Sequence, residues 1–118
     1  MNKPNKSTKP KVVSWSVVNF PIELRRCFVG EARTRNLTTN ALLEEILLDW
    51  MKKPKKPKDL IVVEEGGVGL WNAGAIPLDL KNKFVGLAYK YDLNVATLLT
   101  TILMNWLLQE QKKEKATA

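Results

Sequence analysis

Histidine is absent from the chain and cysteine occurs once, as Cys27. A zinc cluster, a disulfide framework and any histidine-based triad are therefore out of reach. No apolar run approaches the roughly 20 residues that cross a bilayer. The leading stretch MNKPNKSTKPK has nothing apolar enough for a secretory signal, so a soluble, intracellular protein is expected. Carboxylates and lysines are dispersed, with no motif that gathers an acid, a base and a nucleophile. We expect no enzyme, no cofactor, no metal and no small-molecule effector.

What is present begins with charge. The net charge is +7 over 118 residues. Residues 1–13 carry four lysines and no acid, and residues 51–69 carry five lysines against three acids. Residues 14–50 and 70–106 sum to only −1 and +1. The excess thus lies in Pro-punctuated flanks. These read either as solvated, flexible spacers or as arms whose lysines follow a phosphate backbone.

The neutral stretches repeat each other. Shifting the chain by 56 positions aligns Ser14–Trp50 with Leu70–Trp106 without a gap, and 13 of the 37 positions match. The matches include Trp15/Trp71, Pro21/Pro77, Phe28/Phe84, Gly30/Gly86 and Trp50/Trp106 as well as six leucine or isoleucine pairs, so leucine richness does not explain them. A unit of about 40 residues is too small to fold alone without a metal, a disulfide or a partner. With the first two excluded, it must pack against another copy.

In the first unit, VVSWSVVNF is rich in β-branched and aromatic residues and stops at Pro21, which has no amide to donate to a ladder. From Ile22 the period changes: Leu24, Phe28 and Ala32 share one helix face. Asn36 and Leu37 interrupt that helix, and Thr38 caps a second one bearing Leu42, Leu43, Ile46, Leu47 and Trp50. The second unit repeats the plan with LWNAGAI, Pro77, then Leu80, Phe84 and Ala88, an Asn94 cap, and Leu98, Leu99, Ile102, Leu103 and Trp106. The expected organisation is a flexible basic arm (1–13), repeat one (14–52), a Lys/Pro linker (53–69), repeat two (70–108) and a charged tail (109–118). Residues 60–64 of the linker have strong β-propensity and read either as a third strand on the ribbon edge or as an apolar strap over the helices. Gly30 and Gly86 suggest close helix approach.

Strand, helix, turn, helix, with Phe20-Pro21, Glu23-Leu24-Arg25 and Leu37-Thr38-Thr39-Asn40-Ala41-Leu42-Leu43 at its joints, resembles the ribbon-helix-helix family of DNA-binding proteins, to which the Arc and methionine repressors belong. The tandem form is similar to transcription regulators of filamentous viruses of thermophilic archaea; if the protein is viral, the resemblance implies a host cell cytoplasm. The resemblance implies a mainly α fold with a small antiparallel β-ribbon, the two repeats closing an intramolecular pseudo-dimer. A linker of about 17 residues spans roughly 55 Å extended. It need only retrace a helix of about 20 Å, although pairing between chains stays open. The implied partner is double-stranded DNA, with self-association on it.

Strand side chains alternate faces. If Phe20 is core, then Val18 and Ser16 are buried, and Asn19, Val17 and Trp15 face the major groove, with Trp71, Ala73 and Ala75 on the second strand. This parity is uneasy, since it buries two serines and wets a tryptophan. A bulge or a one-residue slip would exchange the faces. Asn19 would pair with adenine and Val17 would touch a thymine methyl. The resemblance puts Thr39, Asn40 and Asn94, at the starts of the second helices, on DNA phosphates, and Lys9 and Lys11 are placed to reach flanking ones. The leading expectation is a sequence-specific regulator of transcription. A ribbon-helix-helix antitoxin, a non-specific architectural DNA-binding protein and a helical interaction module are the alternatives.

Overall fold

In a computed structural model of the protein, the described residues are 11–63 and 66–117, with side chains described as far as residue 113. They form four helices and one two-stranded antiparallel sheet, in the order β1 (Val12–Pro21), α1 (Ile22–Thr34), α2 (Thr39–Met51), β2 (Val68–Pro77), α3 (Leu78–Lys90) and α4 (Val95–Thr117). The chain pairs its own two strands. Ser16 lies opposite Asn72, its counterpart 56 positions on. The pairing extends outward from there to Val12 opposite Pro77 and Pro21 opposite Val68.

Both strands end at proline, as their sequence requires, and the next residue starts a helix. The first amides of those helices are used to extend the ribbon: Ile22 donates to the Gly67 carbonyl at 3.1 Å, and Leu78 to the Lys11 carbonyl at 2.8 Å. Helices α1 and α3 then stop in the same way. Asn36 and Asp92 adopt φ of 59°. Leu37 and Leu93 donate back to Ala32 and Ala88, each at 2.9 Å. This left-handed ending satisfies the last carbonyls, and asparagine and aspartate are the residues after glycine that tolerate it best.

The two repeats do not build separate cores. Trp15 packs edge-on to Phe84, with ring centres 5.7 Å apart, and Trp71 packs edge-on to Phe28 at 5.8 Å. Trp50 and Trp106 complete the exchange, Trp50 on Phe84 at 5.9 Å and Trp106 on Phe28 at 6.2 Å. Phe28 and Phe84 therefore each receive both of their tryptophan neighbours from the other repeat. Around these rings Leu42, Leu43, Leu47, Leu98, Leu99 and Leu103 are fully buried. This accounts physically for why one unit alone is insufficient.

Two expectations need correction. Residues 60–63 add no strand, and the sheet has two strands among the described residues. The segment is a strap instead, anchored where the Ile61 amide donates to the Thr101 hydroxyl at 3.0 Å. Gly30 and Gly86 are exposed, and a Cβ at either would meet no atom within 4 Å, so they do not bring helices together. Helix α4 runs on through the charged stretch after Trp106 to Thr117.

Candidate nucleic-acid interface

The ribbon is bulged twice, and the bulges decide which side chains face solvent. Val17 is opposite Trp71 and Phe20 opposite Gly69, so Val18 and Asn19 together face Leu70. Asn19 absorbs the extra residue at φ 57°. On β2, Trp15 opposite Gly74 and Ser16 opposite Asn72 leave Ala73 as the extra residue, with Gly74 at φ 97°. A bulge shifts side-chain alternation by one. Phe20 is consequently buried three positions after Val17, and simple parity counted back from Phe20 gives the wrong face.

Trp15 and Val17, expected in the groove, are each 3% exposed and lie in the core. Trp71 and Ala73 are buried with them. Tryptophan-sized apolar surface gains more from the Phe84 and Phe28 contacts than from water, and the bulges exchange the faces accordingly. Asn19 and Ala75 do face outward. So do Ser14, Ser16, Val18, Leu70 and Asn72, which the parity had placed inside or passed over. Val18 and Leu70 are 63% and 60% exposed, a large apolar surface to leave in water toward one end of the ribbon.

The polar side chains on this face are partly tied to one another. The Asn72 amide oxygen accepts from the Gly74 amide at 3.1 Å and from the Ser14 hydroxyl at 3.3 Å. Because a backbone N–H can only donate, this fixes which end of the Asn72 amide is oxygen and turns its NH₂ outward. On the other strand, Arg25 of α1 donates to the Leu70 carbonyl at 3.2 Å, holding the helix to the ribbon beside the first bulge. Neither strand contains a charged residue.

A helix start flanks each edge of the ribbon. At α2 the Thr38 hydroxyl accepts from the Ala41 amide at 3.2 Å, and at α4 the Asn94 side chain accepts from the Thr97 amide at 2.8 Å. These caps leave the amides of the first helical residues open, as at any helix start. Asn40, expected on a phosphate, is half-buried and donates to the Ala75 carbonyl at 3.0 Å, so its amide pins α2 to β2. Thr39 beside it is also half-buried. The counterpart of Asn40 is Ala96, which has no such reach. There a groove of about 560 Å³ opens between β1, the α4 start and the strap, lined by Val18, Asn19, Asn94 and Thr97 among others.

Lys11 is exposed at the entry to β1, and Lys9 lies outside the described residues. The linker lysines are elsewhere. Lys55 and Pro57 border a second groove with Trp50, Trp106 and Gln109, near the C-terminal end of α2 and well down α4. That is about 20 Å along the helix from the α2 start. No family model, no curated protein and no solved structure matches the chain.

Proposed function

We propose that the protein is a sequence-specific regulator of transcription, binding double-stranded DNA as a ribbon-helix-helix pseudo-dimer within one chain. The observation that carries this reading is the outward face of the ribbon. Seven side chains, Ser14, Ser16, Val18, Asn19, Leu70, Asn72 and Ala75, stand exposed on a two-stranded ribbon, polar and apolar together, with a helix start at either edge. A B-DNA major groove about 12 Å wide admits such a ribbon, and helix starts accept phosphate oxygens on open amides. Hydroxyls and amides of this kind read base edges, while Val18 and Leu70 match thymine methyls. Lys11 supplies sequence-independent attraction at one end. The regulatory role comes from the family resemblance, since the residues themselves argue for DNA binding.

The exposed, uncharged face favours selective reading over architectural binding, which relies on cations along the contact. Selection of bound fragments from random duplex DNA at near-physiological salt separates the two. Enrichment of a defined motif is expected, whereas retention of DNA without enrichment and with steep salt dependence would replace this reading with the architectural one. Asn19→Ala should then weaken binding to the enriched site by about 1–3 kcal/mol and relax selectivity at one base pair. Lys11→Gln should weaken all duplexes alike and lower the salt slope by about one.

A further inference from the structure

The ribbon's outward face is where the two repeats differ most. Counterparts that point inward keep their apolar chemistry: Trp15 and Trp71, Phe28 and Phe84, and Ala32 and Ala88 are identical and equally buried, and Val17/Ala73 and Phe20/Ile76 differ only in size. Counterparts that point outward differ in kind. Ser14 answers Leu70, Ser16 answers Asn72, Val18 answers Gly74 and Asn19 answers Ala75, and no pair keeps its chemistry. The backbone differs too, since the left-handed residue is Asn19 in β1 but Gly74, the counterpart of Val18, in β2.

Laid along the ribbon, these residues give it a direction. At one end Ser14 faces Ala75, two small side chains. In the middle Ser16 faces Asn72, whose oxygen is already occupied by Gly74 and Ser14, so that it offers donors alone. At the far end Val18 and Asn19 oppose Leu70, two bulky apolar groups and an amide with no hydrogen bond among the described residues. The flanks are unequal as well: α2 is pinned to β2 through Asn40, while Ala96 leaves a groove beside β1.

We propose that one molecule reads a non-palindromic duplex site in a single orientation. This rests on the DNA-binding reading above. A palindrome presents the same edges to both ends of the ribbon, and only one end could match them; each mismatched base pair weakens binding by roughly tenfold or more. The Val18–Leu70 end takes a step bearing thymine methyls. The centre takes a guanine or thymine, whose major-groove acceptors suit the donor-only Asn72.

The test is the enriched motif together with the number of molecules on it, counted by native mass spectrometry, and affinity for a duplex in which one half is replaced by the inverted copy of the other. The expected result is a motif without dyad symmetry occupied by one molecule, and at least tenfold weaker binding to either palindromised duplex. An inverted repeat holding two molecules, each on its own asymmetric half, supports the proposal equally. Exchanging the central pair, Ser16→Asn with Asn72→Ser, should move the preferred central base to the opposite strand. Both positions are exposed, and circular dichroism checks that the variant is folded. A palindrome occupied by one molecule, or an unchanged central preference in the folded exchange variant, overturns the inference and leaves DNA binding intact. Failure to bind duplex DNA even at low salt overturns the DNA reading itself, and this inference with it.

Discussion

Positions 15 and 71 hold tryptophan in both repeats and are equally buried, whereas positions 16 and 72, one residue on, hold serine and asparagine and are both exposed. The difference follows from how the core is closed. Each tryptophan must fit against a phenylalanine of the other repeat, so a change in one repeat has to be accommodated by the second. Outward residues answer to no such partner. Buried positions are held to apolar residues by packing, with Trp15/Trp71 identical and Val17/Ala73 and Phe20/Ile76 differing in size alone, and exposed ones are free to become different recognition elements.

The exchanged core gives the largest expected effect. Phe84→Ala removes the ring shared by Trp15 and Trp50 and should destabilise the protein by about 3–5 kcal/mol. Although Phe84 belongs to repeat two, the loss should appear in repeat one as well, as a single unfolding transition that lowers protection of β1 and α2 amides together with α3. Two separable transitions in calorimetry, one of them unchanged, would break the idea that the repeats share a core.

Gly74 tests the bulges. Its φ of 97° lies where a side chain is strained, and a Cβ would sit 3.1 Å from the Asn40 Cβ. Gly74→Ala should cost about 1–3 kcal/mol and loosen the Asn40 hydrogen bond to Ala75. Its sequence counterpart Val18 is exposed, and Val18→Ala should change stability by less than about 0.5 kcal/mol. Equal losses measured by urea denaturation would mean that the two bulges are equivalent after all.

Those bulges are also where the sequence stopped being legible. Strand ends could be read because proline lacks an amide, and helix ends because Asn36 and Asp92 precede leucine and a capping residue. Such signals are local. The face of the ribbon depends instead on an extra residue in each strand, whose presence is settled by how Trp15 and Trp71 fit across the core, at a distance of some 70 residues from Phe84 in one case. Counting alternate positions back from Phe20 therefore turned Trp15 and Val17 outward. A usable cue was nevertheless present. Trp15 recurs as Trp71 while Ser16 does not recur, and identity between repeats marks the positions that packing constrains. The linker strap was ambiguous for the opposite reason: Leu60 to Val63 have the residues of a strand, but its placement turns on the single Thr101 hydroxyl, which Glu45 replaces in repeat one.

A smaller effect of opposite sign is expected at Gly30 and Gly86. Both lie within helices on open surface, so identity between the repeats at these two positions does not come from close packing. Gly30→Ala and Gly86→Ala should each stabilise by about 0.5–1 kcal/mol, since alanine restricts the unfolded chain and clashes with nothing. A rise in Tm for both would confine the packing argument to buried pairs. A fall at either would show that the fold does constrain that helix surface.

The smallest effect concerns a charged contact that repeat one makes and repeat two cannot. Arg35, just after α1, pairs with Glu31 at 2.9 Å and with Glu110 of α4, and lies over the Trp106 ring 4.8 Å from its centre. The counterparts of Arg35 and Glu110 are Tyr91 and Pro54, and α2 ends at Met51 where α4 continues. The Arg35 guanidinium, followed by Lys113, holds the Glu110 carboxyl below its ordinary value. A lowered folded value means that the stabilisation is present above the ordinary carboxylate range and is lost as pH falls through the folded value. Because the pair is partly solvated, Glu110→Gln should cost less than about 1 kcal/mol globally. Its effect should concentrate in α4 beyond Trp106, where amide protection relative to the intrinsic exchange rate should fall on acidification in the native protein and be low already at neutral pH in the variant. Uniform protection across α4 in both would show that the helix end is held by its own backbone, and that this asymmetry between the repeats has no energetic consequence.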